Sequence, residues 1–175
     1  VVGVNVGSSD DIQGWMYLLK YDTVYGKLKN VNLSFISGEK VLPDFETKAK
    51  FIGFLIIDNK KIPFFADRDL KNLPWKELNV DTVIESTGKF RTEEELKGHL
   101  EAGAKSVVLS APCKGDSVKT YILGVNLQYK NQKNLEKIIS NASCTTNAIA
   151  PIAQIIEKKF GIEKAMMTTI HAYTS

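Results

Sequence analysis

Two side chains in this sequence could do covalent chemistry together, a thiol at Cys144 and an imidazole at His171. Cys144 sits in Ser140-Asn141-Ala142-Ser143-Cys144-Thr145-Thr146-Asn147. The run before it, Lys137-Ile138-Ile139-Ser140, predicts a short buried strand. The stretch from Thr145 to about Lys159 predicts a helix, with Ile149, Ile152, Ile156 and Phe160 at helical spacing. A thiol in the first turn of a helix faces the positive end of the peptide dipole, which favours the reactive thiolate. His171 lies near the end of a strand-like run from Met166 to Thr174. From there an imidazole can act as general base toward a nearby thiol. Each residue also has an ordinary reading: most free cysteines are small buried apolar residues, and a lone histidine is more often a hydrogen-bonded structural group. The polar neighbours of Cys144 make a poor core site and weigh toward the nucleophile.

The elements that would position these groups alternate along the chain. Val1 to Val4 predicts a short strand. Asp11 to Tyr21 predicts a helix with Ile12, Trp15, Met16, Leu18 and Leu19 on its apolar side. Leu33 to Ile36 and Phe51 to Ile57 predict strands of an enlarged meander or hairpin. Lys61 to Ala66 predicts a strand, placed at a sheet edge by Pro63. Asp81 to Glu85 and Ser106 to Ser110 predict buried strands, and Tyr121 to Leu123 and Lys137 to Ile139 two more. Between them a helix from about Glu93 to Ala102 is punctuated by Thr92 and Glu95, a capping box, and by Gly103 as its stop. His99 reads as a surface or packing residue of that helix, and Asn131 to Asn134 as a polar turn. Apolar strands alternating with helices predict an α/β fold with a parallel sheet covered on both faces. Ligands of such sheets bind at the carboxyl ends of the strands. Ser86-Thr87-Gly88, Ser110-Ala111 and Ser143-Cys144 all fall at such ends, which predicts one crevice.

The 175 residues suffice for one domain of ordinary size. With 43% apolar and 25% charged residues the composition is that of a soluble globular protein. A net charge of +3 argues for neither nucleic-acid nor membrane binding. Two cysteines, Cys113 and Cys144, are too few for a disulfide framework and suit a reducing compartment. Cys113 reads as an incidental thiol. No apolar run approaches the roughly 18 residues that span a bilayer, and no signal-peptide pattern opens the chain. The first residue is Val1 rather than methionine, so a fragment or a processed chain is expected.

Ser143-Cys144-Thr145-Thr146-Asn147 followed by His171-Ala172-Tyr173-Thr174 resembles the glyceraldehyde-3-phosphate dehydrogenase family. Further segments agree in order: Leu19 to Lys27, Ala66-Asp67-Arg68-Asp69, Pro74-Trp75, Glu85-Ser86-Thr87-Gly88, Ser110-Ala111-Pro112 and Gly124-Val125-Asn126. The resemblance implies a Rossmann-like, incomplete NAD-binding domain over 1–147. The first helix and strand of an α+β catalytic domain would follow over 148–175. It implies NAD as cofactor, and oxidative phosphorylation of glyceraldehyde 3-phosphate, with inorganic phosphate, to 1,3-bisphosphoglycerate. Cys144 would be the nucleophile and His171 the base. Ser143, Thr145 and Thr174 would bind phosphate groups, and Asn5, Arg68, Ser86, Thr87, Gly88, Phe90, Ser110 and Ala111 would contact the cofactor. A cytoplasmic homotetramer is implied as well, with no membrane and no specific nucleic-acid partner.

The sequence also departs from that family. It has no G-x-G-x-x-G turn to cradle a pyrophosphate. Element order aligns Val1 to Asn5 with the family's second strand, and Val6 then stands where an acidic residue would hold the adenosine ribose; Asp10 or Asp11 are the available substitutes. The segment between Gly26 and Asn59 is longer than expected. Most of the catalytic domain lies outside the 175 residues, so little or no dehydrogenase activity is expected of this chain alone. Other readings stay open: a paralogue acting on erythrose 4-phosphate, a Cys–His acyl hydrolase needing no dinucleotide, or a non-catalytic remnant that serves as a binding module.

Overall fold

The structure, a computed structural model, describes residues 1–128 and 135–172. The chain divides into two compact units, one formed by Val1–Val83 and Leu96–Val107, the other by Ile84–Glu95 and Val108–Ser175. The expected turn at Asn131 to Asn134 and the expected phosphate ligand Thr174 lie outside the described residues.

In the first unit a four-stranded sheet runs in the order β1-β6-β5-β4. β4 (Leu33–Ser37), β5 (Phe51–Ile57) and β6 (Lys60–Phe65) form an antiparallel meander, and β1 (Val4–Asn5) joins β6 in parallel at Phe64 and Phe65. Helix α1 (Ile12–Lys20) starts where the Asp11 carboxylate accepts the Gly14 amide at 2.8 Å, satisfying a first-turn N–H that has no partner in the helix. Ile12, Trp15 and Met16 of its expected apolar side meet the sheet, while Leu18 and Leu19 are exposed. Ile12, Ile52, Leu55, Ile62, Phe64 and Ala66 form the buried cluster, with Val4, Phe35, Trp15 and Met16 packed around it. Strands β2 (Tyr21–Asp22) and β3 (Gly26–Lys27) make a small antiparallel ribbon.

Pro63 is a correction. β6 lies inside the sheet, between β1 and β5, not at its edge. The strand tolerates a residue without an N–H because β1 pairs only with Phe64 and Phe65, so no described strand flanks Pro63 on that side.

A second sheet runs β7-β8-β10-β9, from strands Thr82–Glu85, Ser106–Leu109, Ile138–Ser140 and Lys119–Thr120. β9 and β10 pair in parallel. Between β7 and β8 lies α2 (Glu93–Glu101), opened by the expected capping box: the Glu95 carboxylate accepts the Thr92 amide at 2.9 Å and the Thr92 hydroxyl accepts the Glu95 amide at 3.3 Å. Gly103, at φ 104°, ends it; a Cβ there would strike Lys76. After β10 comes α3 (Cys144–Phe160), which carries Pro151 and ends at Gly161.

The chain is thus α/β, with parallel pairing at β1–β6 and β9–β10 as the strand pattern predicts, beside the antiparallel meander and the small ribbon. Two strands fall elsewhere than expected. The pairing before Tyr121 is made by Lys119–Thr120, while Leu123 forms only an isolated bridge to Leu127. Met166 to Ala172 forms no strand, since no described strand lies beside it to take up its backbone groups. The apolar stripe of α3 is also not buried: Ile152 and Ile155 are more than half exposed and Phe160 is 83% exposed.

Candidate active site

β7, β8 and β10 are neighbours, so their carboxyl ends share one edge of the second sheet. Ser86-Thr87-Gly88 leaves β7, Ser110-Ala111 leaves β8, and Asn141 to Cys144 leaves β10. The three expected segments therefore come together, all within the second unit. Their backbones are joined: the Ser110 amide donates to the Glu85 carbonyl at 3.0 Å and the Asn141 amide to the Leu109 carbonyl at 2.9 Å.

Cys144 is the first residue of α3, and its thiol is exposed. Ser143 is the N-cap, its hydroxyl accepting the Thr146 amide at 2.9 Å and sharing hydrogen bonds with the hydroxyls of Thr145 and Thr146 at 2.9 and 2.7 Å. Three hydroxyls thus cluster at the start of the helix that Cys144 opens, and a helix start is a setting suited to an anion. The chain reaches this position through a sharp reversal. Ala142, 5% exposed, has φ +62°, a left-handed conformation that costs an L-residue with a Cβ.

His171 is exposed, and its Nε2 lies 3.1 Å from the Thr169 hydroxyl. Among the described residues no hydrogen bond joins it to Cys144.

At the β7 end, Glu85 is 3% exposed and its carboxylate accepts both the amide and the hydroxyl of Thr87. Gly88 has φ +72°, with open space where a Cβ would stand, and Ser86, Thr87 and Ser110 are exposed. The turn backbone is therefore open to close approach by an extended ligand. Phe90 and Ala111 are half-buried beside these turns. Arg91, not singled out in the sequence, donates from Nε and Nη2 to the Pro112 carbonyl at 3.1 and 3.0 Å, and so ties the loop after β7 to the loop after β8.

Asn5 and Arg68 belong to the first unit. Arg68 is exposed. The Asn5 amide group is engaged with backbone: it donates to the Asp67 carbonyl at 2.9 Å and accepts from the Asp67 amide at 3.0 Å, so it fixes the turn that carries Arg68. The acidic substitutes considered for ribose binding are engaged too. Asp10 pairs with Lys50 at 2.7 Å, and that ammonium holds its carboxyl below the ordinary value; Asp11 caps α1. A polar cleft lined by Lys48, Lys71, Pro74, Glu77 and Glu101 in the first unit contains none of the candidate residues.

The residues that shape the Cys144 turn, Ser140, Ala142 and Asn147, were not assigned roles from sequence. Left-handed backbone is ordinarily signalled by glycine or asparagine, and an alanine gives no such signal. No helix among the described residues is long and apolar enough to cross a membrane.

The family model described as glyceraldehyde 3-phosphate dehydrogenase, NAD binding domain, matches residues 1–93. The model for the C-terminal domain of the same enzyme matches residues 143–175. Among named proteins, the chain is 43% identical to glyceraldehyde-3-phosphate dehydrogenase of Chlamydia muridarum over 100% of its own length and 46% of the relative's. It is 41% identical to glyceraldehyde-3-phosphate dehydrogenase 2 of Bacillus subtilis over the same shares. To glyceraldehyde-3-phosphate dehydrogenase 1 of Agaricus bisporus it is 46% identical, over 94% of its own length and 43% of the relative's. The chain thus spans less than half the length of these relatives.

Proposed function

The chain belongs to the glyceraldehyde 3-phosphate dehydrogenase family, with a Rossmann-type domain whose cofactor is NAD, and on that premise we propose that it carries the nucleophilic half of that enzyme's active site. The observation that supports this reading is Cys144 itself: an exposed thiol at the first position of α3, capped by Ser143, on the sheet edge that also bears Ser86 to Gly88 and Ser110-Ala111. The domains divide at 147, with 148–175 opening the catalytic part.

The edge fits one side of a dinucleotide. Exposed hydroxyls at Ser86, Thr87 and Ser110 offer hydrogen bonds, and nothing blocks the approach over Gly88. Phe90 and Ala111 supply apolar contact; Arg68, on the turn that Asn5 fixes, is a separate cofactor candidate within the first unit. The glycine-rich turn that cradles a pyrophosphate is not within residues 1–175.

In the reaction proposed, the Cys144 sulfur attacks the aldehyde carbon of glyceraldehyde 3-phosphate and forms a hemithioacetal. The Cys144 backbone amide, at the start of α3, faces the hemithioacetal oxygen, and His171 would take the hydroxyl proton from that oxygen, so that loss of the carbon-bound hydride leaves a thioester on Cys144. NAD, when bound, supplies the hydride acceptor. Inorganic phosphate then attacks the thioester carbon and releases 1,3-bisphosphoglycerate and the thiolate. Ser143, Thr145 and Thr174 hold the phosphate groups. The whole enzyme is cytoplasmic and a homotetramer. In this chain the His171 imidazole lies within hydrogen-bond distance of the Thr169 hydroxyl.

Three measurements test the proposal. Iodoacetamide should label Cys144 several-fold faster than Cys113, about the range that a first-turn dipole and adjacent donors contribute. The chain should yield no NADH from glyceraldehyde 3-phosphate, NAD and phosphate. It should also fail to hydrolyse p-nitrophenyl acetate repeatedly. Equal labelling of both cysteines would refute the nucleophile; multiple-turnover ester hydrolysis without NAD would replace the reading with an acyl hydrolase.

A further inference from the structure

Cys144 is held where it is by two side chains that nothing above assigns to chemistry. Ser140, the last residue of β10, is fully buried. Its hydroxyl donates to the Ala111 carbonyl at 2.8 Å and accepts the Ala142 amide at 3.1 Å. One hydroxyl therefore bridges the loop after β8 and the residue whose backbone is left-handed. On the other side of that residue, the Asn147 Nδ2 donates to the carbonyl of Asn141 at 2.7 Å and to that of Ser143 at 2.9 Å. Ala142 is thus fastened on both flanks, from the sheet by Ser140 and from the first turn of α3 by Asn147. A strained residue persists only where its surroundings over-determine it, and these four hydrogen bonds do so.

We propose that Ser140 and Asn147 are positioning residues for Cys144: together they hold the left-handed turn at Ala142 that sets the thiol on the first turn of α3, and Ser140 couples that turn to the Ala111 end of β8. The inference rests on the reading of Cys144 as nucleophile. A serine here satisfies two groups at once, one as donor and one as acceptor, which alanine cannot. An aspartate at 147 keeps the shape of asparagine but has no N–H to donate when ionised. Because Cys144 is already exposed, loosening the turn does not uncover it further; what changes is its alignment with the helix start.

The test is the rate of iodoacetamide labelling of Cys144 relative to Cys113 in the intact 175-residue chain, resolved by peptide mass spectrometry. Ser140→Ala and Asn147→Asp should each lower the ratio roughly two- to fivefold, the range of a first-turn dipole on a charged group. Ser140→Thr, which keeps the hydroxyl, should recover it. Ile138→Ala is the control: it empties a buried site in the same strand, lowering stability without touching the turn, and should leave the ratio unchanged. A wild-type ratio well above one that persists in Ser140→Ala and Asn147→Asp overturns the positioning role and leaves the nucleophile standing. A wild-type ratio of one removes the nucleophile and this inference with it.

Discussion

At the scale of single residues, the buried polar groups are informative because each must be answered by a partner. His99, 3% exposed on α2, accepts the Trp75 indole N–H on its Nδ1 at 3.0 Å. Sequence reading allowed His99 a packing role, but its partner lies 24 positions away and no local pattern signals it. Replacing His99 with leucine leaves a buried indole donor unsatisfied, which should cost about 2 kcal/mol in chemical denaturation. Combining it with Trp75→Phe, which removes that donor, should cost less than the two single changes summed. Strict additivity would show that the hydrogen bond contributes nothing. Ala142 is illegible for the opposite reason: its conformation is imposed by Ser140 and Asn147, not by any preference of its own.

At the scale of elements, legibility followed local chemistry. α2 could be read because Thr92, Glu95 and Gly103 act within one turn of its ends. The Glu95 carboxyl is held below its ordinary value, first by the Thr92 amide and then by the Arg91 amide and the Thr92 hydroxyl. Thr92→Ala should cost the domain about 1 kcal/mol, measured by urea unfolding; an unchanged midpoint would mean that the cap is idle. α1 was legible through its apolar spacing, while its Asp11 cap emerged only in the structure. Elements that depend on distant pairing were not. Pro63 suggested an edge, yet β6 is interior, because what matters is where the two residues of β1 end. Met166 to Ala172 has the composition of a strand and lacks a described neighbour to make it one. At the candidate site, the exposed thiol on the first turn of α3 was legible in the Ser143-Cys144-Thr145-Thr146-Asn147 run, while the turn that presents it was not.

At the scale of the whole molecule, the charge balance is mild, but one surface cluster gives the chain an acid-sensitive side. The Glu136 carboxylate takes Lys119 at 2.5 Å and the Tyr121 hydroxyl at 2.8 Å. The Lys119 hydrogen bond first, then a backbone hydrogen bond and the Tyr121 hydroxyl, hold its pKa down from 4.5 to about 2. A pKa depressed by folding means a contribution present above the unfolded value and lost as pH falls. That loss should run from about pH 4.5 down to about pH 2. Glu136→Gln should flatten stability over that window in equilibrium unfolding, and an unchanged slope would show the cluster to be inert.

The open face of α3 bears on how such experiments are read. Ile152, Ile155 and Phe160 stand in solvent in the native chain, so environment-sensitive dyes will fluoresce before any heating. A dye-based melting scan will begin bright and rise little. Tryptophan emission, from Trp75 at 4% exposure and the half-buried Trp15, is the signal that will change when the protein unfolds.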